Sequence, residues 1–410
     1  MIIAIMQTKG DDIMLEIMSS DTDKGPSILV IGIGGGGNNA VDRMIAANLK
    51  GVSFAAINTD VAVLNNSSAE VRLQIGTKLL KGYGAGADPS LGEAAALENE
   101  EDIKKLVENK DMVIITCGMG GGTGTGAAPV TARICKELEI LTMAVVTTPF
   151  SFENKPRMVA AESGISKLKE NVDTLLIIPN DRLIEITDKQ LKLNDAFIMA
   201  DSVLKYTIEG ISNIVYNRGV INIDFNDVKT TLIGKGVGHL GIGTVDEDGS
   251  ILDAVKQAVN SPLLDTCIEG AENLLVNTSG NVNLIALNEA ISYVRELAGP
   301  DVNLIWGTVS GDIFEKDKIV VTIIATGMPE SKKKSLTESQ AWFKISEKNK
   351  ISSQSILDTS TFFRPEKYDL AKMDGASLVK PLHAVEEKQI SIPTFLTDCS
   401  PKTFSMRAKK

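Results

Sequence analysis

The nine residues from Gly118 to Gly126 read Gly-Met-Gly-Gly-Gly-Thr-Gly-Thr-Gly and run straight into Ala127-Ala128-Pro129. An apolar, strand-like stretch, Met112 to Thr116, precedes this loop, and a helix-like stretch, Val130 to Leu138, follows it. Glycine takes positive φ without steric cost and lets backbone amides approach a ligand with no Cβ in the way. Unpaired amides and the dipole at a helix start both favour anions. The loop therefore predicts a cradle for a polyphosphate. A turn that merely connected a strand to a helix would have no use for Thr123 and Thr125, whose hydroxyls can donate to phosphate oxygens.

A second glycine cluster, Gly32-Ile33-Gly34-Gly35-Gly36-Gly37-Asn38-Asn39, follows the first apolar strand. Alone it would fit a dinucleotide-binding turn, although Asp60 lies a little beyond the usual position of a ribose-binding carboxylate. Two such loops suggest a ligand with several phosphates held between them. No GxxxxGK[ST] pattern occurs, which excludes a P-loop protein. A third glycine-rich stretch, Gly82 to Pro89, reads as a mobile flap over the same ligand or as an ordinary surface turn.

From Ser27 to about Asn180 the chain alternates apolar strands with helical stretches. The strands are Ile28–Ile33, Val52–Ile57, Val71–Ile75, Met112–Thr116, Leu141–Thr147 and Thr174–Ile178. The helical stretches include Asn39–Asn48, Glu93–Glu108 and Val159–Glu170. Short continuous apolar runs are those of strands buried on both faces of a parallel sheet, and the alternation predicts a doubly wound α/β domain. Asp195 to Tyr216 has apolar residues at helical spacing and predicts a spine of roughly 30 Å joining two domains. Val220 to about Gly327 forms a second α/β region, with strands near Leu240–Thr244, Asn273–Asn277, Leu304–Val309 and Ile319–Ala325 and helices at Ile251–Val259 and Leu284–Leu297.

Ser331-Lys332-Lys333-Lys334 opens a polar stretch without apolar period, which reads as a disordered linker. The linker ends in an apolar island, Ile390 to Leu396, which reads as a docking peptide or as plain tail composition, and a basic end follows.

A net charge of -11 argues against a general nucleic-acid binder. The four cysteines are scattered and the histidines number only two, so neither a zinc site nor a Ser-His-Asp triad is expected. No apolar run approaches the roughly 20 residues of a membrane span. Met1 to Met6 is too short for a signal peptide, so a cytoplasmic protein is expected, with Met14 an alternative start.

Two charged groups invite a chemical reading. Glu153 and Arg157 follow the fifth strand, at the ligand end of the sheet or as a surface ion pair. In Asn222-Ile223-Asp224-Phe225-Asn226-Asp227, the two acids stand at the start of a short helix, Val228 to Leu232. They are either an ordinary helix cap or a carboxylate pair that orients water toward a phosphate. They lie beyond the long helix from the glycine loops, so a single subunit is not expected to join the two.

These residues resemble the FtsZ family, the bacterial tubulin-like cell-division GTPases, from about Ile28 to Gly327 and again near the C-terminus. The resemblance is carried by Gly120 to Gly126, Ala56-Ile57-Asn58-Thr59-Asp60, Gly84 to Ala87, Pro149 to Glu153, Ile178 to Arg182, Asn222 to Asp227, Ser261 to Leu264 and Ile392 to Leu396. It implies a Rossmann-like GTP-binding domain joined by a long central helix to a smaller α/β domain. The implied divisions are an extension at 1–26, the GTP-binding domain at 27–194, the helix at 195–219, the second domain at 220–328, a linker at 329–389 and a docking tail at 390–410.

The resemblance further implies that Gly35, Gly36, Gly37, Asn38 and Asn39 line GTP or GDP and that Gly122, Thr123 and Gly124 hold its phosphates. Glu153 and Arg157 would contact ribose and phosphate. Phe197 and Asp201 would stack on and bond the guanine, with Asn180 and Asn39 nearby. Asp224 and Asp227, with Asn222, would act on GTP bound to the next subunit of a head-to-tail filament at midcell, with Mg²⁺ held mainly through the phosphates. Ile392 to Leu396 would dock membrane tethers, without insertion into the membrane. The chain departs from the pattern at Gly236-Val237-Gly238-His239-Leu240, Asp88, Pro156 and Ser391.

Overall fold

The computed structural model describes residues 4–9, 12–17, 25–185, 192–216, 224–246, 249–261, 268–280, 282–309 and 318–328. Asn222 and the whole of the tail beyond Met328 lie outside these residues, as does the predicted docking peptide. Near the start, β1 (Ala4–Lys9) pairs antiparallel with β2 (Asp12–Ile17), a hairpin that the sequence reading does not anticipate.

All six strands expected in the first region form: β3 (Ile28–Ile33), β4 (Ser53–Asn58), β5 (Val71–Gln74), β6 (Met112–Gly118), β7 (Leu141–Thr148) and β8 (Thr174–Pro179). They pair in parallel in the order β8-β7-β6-β3-β4-β5. Their continuous apolar runs follow from burial: helices α1 (Gly34–Ala46) and α9 (Leu193–Tyr216) cover one face. Helices α4 (Pro89–Glu98), α5 (Glu100–Val107), α6 (Thr123–Glu137) and α7 (Lys155–Lys169) cover the other. The connections leave β3 toward β4 and β6 toward β7 in opposite directions, so a crevice opens between the ends of β3 and β6. This is the switch point at which open α/β sheets bind ligands.

Several helix boundaries differ from expectation: α1 starts at Gly34 rather than Asn39, and α7 at Lys155 rather than Val159. The segment expected as one helix, Glu93–Glu108, is two, broken at Asn99, whose side-chain oxygen accepts the Gly76 amide while its amide group donates to Asp102. Helix α6 starts at Thr123 rather than Val130 and carries Pro129 in its interior. Its glycine-rich first turns stay helical because they pack closely on α4. A Cβ added to Gly126 would lie 2.1 Å from the Pro89 carbonyl oxygen, and one on Gly92 would lie 2.3 Å from that of Gly122.

The second region comprises α10 (Phe225–Leu232), β9 (Gly236–Asp246), α11 (Ile251–Val259), β10 (Asn273–Ser279), α12 (Leu284–Ala298), β11 (Asn303–Val309) and β12 (Lys318–Thr326). Its strands do not form a separate sheet. β9 pairs parallel with β8 through Thr174–Gly236, Leu175–Val237 and Leu176–Gly238, giving one ten-stranded sheet ordered β11-β10-β12-β9-β8-β7-β6-β3-β4-β5. A further apolar cluster lies under α11 and α12.

The spine α9 has 24 residues, about 36 Å at helical rise. Near its far end Ser212 Oγ donates to the Lys50 carbonyl at 2.7 Å, and the Tyr216 hydroxyl donates to the carbonyl of Pro26. Both partners lie just before strands, at the edge of the sheet opposite the glycine loops.

Candidate nucleotide site

The two glycine loops meet. Gly34, at φ +73°, turns the chain from β3 into α1, and a Cβ there would lie 2.9 Å from the amide nitrogen of Gly124. A Cβ on Gly37 would fall 2.3 Å from the Thr116 carbonyl oxygen, and one on Gly36 3.4 Å from the Gly118 nitrogen. Gly35 and Gly121 are different, because nothing lies within 4 Å of a Cβ on either. The contact between the loops thus rests on missing side chains, while Gly35 and Gly121 border open space. With the N-termini of α1 and α6 at the same crevice, the arrangement suits a polyphosphate.

Side chains fix the loops. Asn38 is buried; its amide group donates to the Gly32 carbonyl at 2.9 Å, and its oxygen accepts from Asn58 Nδ2 at 2.6 Å. That side chain braces the loop, so Asn38 faces a ligand through its backbone alone, whereas Asn39 is exposed. Thr59, at the end of β4, and Thr123, at the start of α6, share a hydroxyl hydrogen bond of 2.6 Å. Thr125, expected as a phosphate donor, is buried with its oxygen accepting the Gly120 amide at 2.8 Å. It shapes the loop from within. Asp60 caps α2 (Val61–Asn66) by accepting the amides of Ala62 and Val63 on Oδ1.

The stretch expected as a mobile flap is tied down. Asp88 caps α4, Asp60 and Tyr83 form an isolated bridge, and a Cβ on Gly122 would meet Ala85 Cβ at 2.8 Å and Asp88 N at 2.9 Å. Tyr83 is 88% exposed.

Beside the crevice lie the residues expected to meet sugar and base. Glu153 and Arg157 pair with each other at 2.6 Å, as the ion-pair reading has it, and Glu153 also accepts the Phe150 amide at 3.1 Å. Phe197, near the start of α9, is 39% exposed and meets Phe150 edge-on at 5.2 Å, while Phe150 stacks on Phe152 at 5.0 Å. Asn180 is buried at the end of β8, and its Oδ1 has no hydrogen-bond partner among the described residues; the same holds for Thr116 Oγ1 at the end of β6. Buried polar atoms are almost always paired, so each exception calls for a partner, and a ligand in this crevice would supply one here. Asp201 sits one turn beyond Phe197. Burial raises its carboxyl pKa to about 6, against the opposing pull of Arg43, whose Nε lies 2.8 Å from Asp201 Oδ2.

Asp224 and Asp227 stand elsewhere. Asp224 is the N-cap of α10, accepting the Asp227 amide at 2.9 Å, so the cap reading is correct as geometry. Both residues are exposed. The far end of α10 is held by Thr174 Oγ1, which donates to the Leu232 carbonyl at the start of β8. The acids therefore lie at the edge where strands begin, and the glycine loops at the edge where they end, roughly 20 Å away by strand length. Within one chain the two groups do not meet.

Sequence reading gave no individual role to Asn58, Thr59 or Arg43. Asn58 and Thr59 were signalled by a polar Asn-Thr-Asp at the end of a buried strand; Arg43 carried no local signal.

The tubulin/FtsZ family GTPase domain matches residues 27–188, and the FtsZ family C-terminal domain matches residues 236–329. Among solved structures, an empty FtsZ dimer from M. jannaschii is 40% identical, with a TM-score of 0.71 over 75% of this chain and 89% of that one. The GDP-bound CetZ1 monomer from Haloferax volcanii is 22% identical, with a TM-score of 0.63 over 79% of this chain and 100% of that one. CetZ2 from the same organism, bound to GTPγS in a protofilament, is 18% identical, with a TM-score of 0.63 over 78% and 99%. The two CetZ likenesses concern the fold. With both family domains matched in order and the FtsZ match spanning three quarters of its length, the chain belongs to the tubulin/FtsZ family of GTPases.

Proposed function

We propose that this chain binds GTP in the crevice between β3 and β6 and hydrolyses it only when a second copy stacks on that face. The observation that carries the reading is the placement of the two halves: glycine loops at one edge of the sheet, Asp224 and Asp227 at the other. A contact between unlike edges is heterologous, and such contacts repeat into open filaments unless a ring closes.

In this reading the amides of Gly35, Gly36, Gly37, Gly122, Thr123 and Gly124 hold the phosphates, with Asn38 supporting them through its backbone. Glu153 and Arg157 bind ribose and phosphate by opening their mutual ion pair. Phe197 offers a ring face to the base, Asp201 accepts from guanine, and Asn39 and Asn180 bond it from the sides. The unpaired Asn180 Oδ1 fits a ligand donor. Mg²⁺ is assigned to the nucleotide phosphates, whose charge it would offset.

Asp224 and Asp227, aided by Asn222, reach from the neighbouring subunit and orient the attacking water. Loss of the γ-phosphate then removes part of what the next subunit binds. Assembly switches hydrolysis on, and hydrolysis loosens assembly.

The cellular role assigned is a division ring at midcell in the cytoplasm, with Ile392 to Leu396 as the peptide that docks membrane tethers. No described helix is long and apolar enough to cross a membrane. The deciding experiment adds GTP and Mg²⁺ to the purified full chain while light scattering and phosphate release are followed together. Both signals should rise, and scattering should decay as GTP is consumed. Phosphate release without scattering at any protein concentration would overturn the split-site reading.

A further inference from the structure

We propose that Arg43 is a positioning residue for base recognition: by pairing with Asp201 across the α1–α9 contact, it keeps that carboxylate charged and turned toward the nucleotide base. This rests on the reading above in which Asp201 accepts from guanine. Helix α1 starts at the first glycine loop and carries Arg43 in its last turn. One helix therefore both cradles the phosphates and fixes the acid that reads the base.

The geometry is specific. Arg43 Nε lies 2.8 Å from Asp201 Oδ2, with the Asp201 side chain 13% exposed and that of Arg43 41% exposed. A carboxylate oxygen has two acceptor positions. The pairing with Arg43 takes one position on Oδ2 and leaves Oδ1 and the second position on Oδ2 to accept the ring N–H and the exocyclic amino group of guanine. Adenine offers no such pair of donors on one edge.

Of the elements packed on α9, α1 brings Asp42 and Arg43, and α8 (Asn180–Glu185) brings Asp181 and Arg182 among its described side chains. Strands β7, β10 and β11 bring no titratable group, and β12 brings Lys318 at its start. Asp42 accepts from Ser67 and Ser68, Asp181 accepts the Ser151 amide, and Lys205, one turn on along α9, lies over the Tyr206 ring. Arg43 is the charged group that acts on the Asp201 carboxyl, opposing the effect of burial.

A carboxyl that is mostly buried and loses its cation rises in pKa by about one to three units. With Arg43 replaced by Gln, the carboxyl rises further, less of Asp201 is ionised at neutral pH, and GDP binding weakens by up to about tenfold.

The test is calorimetric titration of GDP, with ADP as the control, into the full chain between pH 5.5 and 8.5. Wild-type affinity for GDP should fall as the pH drops through about 6. Arg43→Gln should move that fall upward by at least one unit and recover affinity at pH 8.5, and Arg43→Lys should restore most of the wild-type profile. A role in fold alone would weaken binding at every pH without moving the midpoint. An unmoved midpoint in a folded Arg43→Gln, with Asp201→Asn abolishing the preference for GDP over ADP, overturns the Arg43 proposal alone. Wild-type binding that neither prefers GDP nor responds to Asp201→Asn overturns the guanine reading beneath it.

Discussion

The carboxylate of Asp224 accepts the backbone amide of Asp227 at 2.9 Å, so one acid of the proposed catalytic pair also starts the helix that bears the other. The observed cap and the proposed catalytic role fall on one side chain, and substitutions can separate them. Asn caps a helix as well as Asp does, whereas Ala costs about 1 kcal/mol. Asp224→Asn should therefore melt like the wild type yet lose GTP turnover by about a hundredfold or more. Asp224→Ala should show the same loss together with a Tm lower by a few degrees. Thermal melts and phosphate release on the same samples give the answer, and full turnover in Asp224→Asn would leave the cap as its sole role.

The glycines divide into those that meet protein and those that meet empty space. Gly126→Ala places a Cβ 2.1 Å from the Pro89 carbonyl oxygen and should destabilise the fold by about 2 kcal/mol or more. Gly35→Ala and Gly121→Ala have room within the chain and should melt within a few degrees of wild type. In the proposed reading the open space beside them holds the phosphates, so GTP affinity should fall about tenfold or more. Filter binding beside thermal melts tests this, and unchanged affinity in both variants would move the phosphates elsewhere.

A site completed by a second copy has a kinetic signature. GTP turnover per subunit should climb steeply with protein concentration and then level off once filaments predominate. Mixing Asp227→Asn chains into wild-type chains should depress turnover, because each variant disables the nucleotide held by its neighbour. A rate per subunit that stays flat across the concentration series would mark a self-contained enzyme.

Glu209 lies buried in α9, with Oε2 unpaired among the described residues. Burial raises its pKa to about 7, with Lys205 pulling the other way. Its folded-state pKa thus lies above the unfolded one, and the native chain binds more protons in between. The associated stability is complete below the unfolded pKa and is lost as pH rises through about 7. Glu209→Gln should consequently stabilise the chain by about 2 kcal/mol at pH 8 and by much less at pH 5. Urea unfolding at the two pH values measures the difference, and equal effects at both would exclude this group as the source.

The strands and the glycine loops were legible in the sequence because their causes are local. Ile28–Ile33 is apolar throughout and forms the expected strand without shift, and the spine over Asp195–Tyr216 is found within two residues of its expected start. The misreadings have non-local causes. Helix α6 begins seven residues before Val130 because α4, far off in sequence, packs on its glycines. Thr125 looked like a phosphate donor, but its hydroxyl closes its own loop. The Thr59–Thr123 bond joins residues 64 positions apart, and nothing in either neighbourhood announces the other.

By itself, the sequence determined that two glycine-rich loops form ahead of helices, since backbone freedom at Gly34 to Gly37 and Gly120 to Gly126 depends on the residues present and on little else. It also placed an acid pair at a helix start. Only the tertiary structure decided how these relate. Strand direction puts every loop that follows β3 and β6 at one edge of the sheet. The length of α9, anchored at Lys50 and Pro26, delivers Asp224 to the other. The sheet and the helix keep the two edges apart, so within any single chain the glycine loops and the acid pair do not meet.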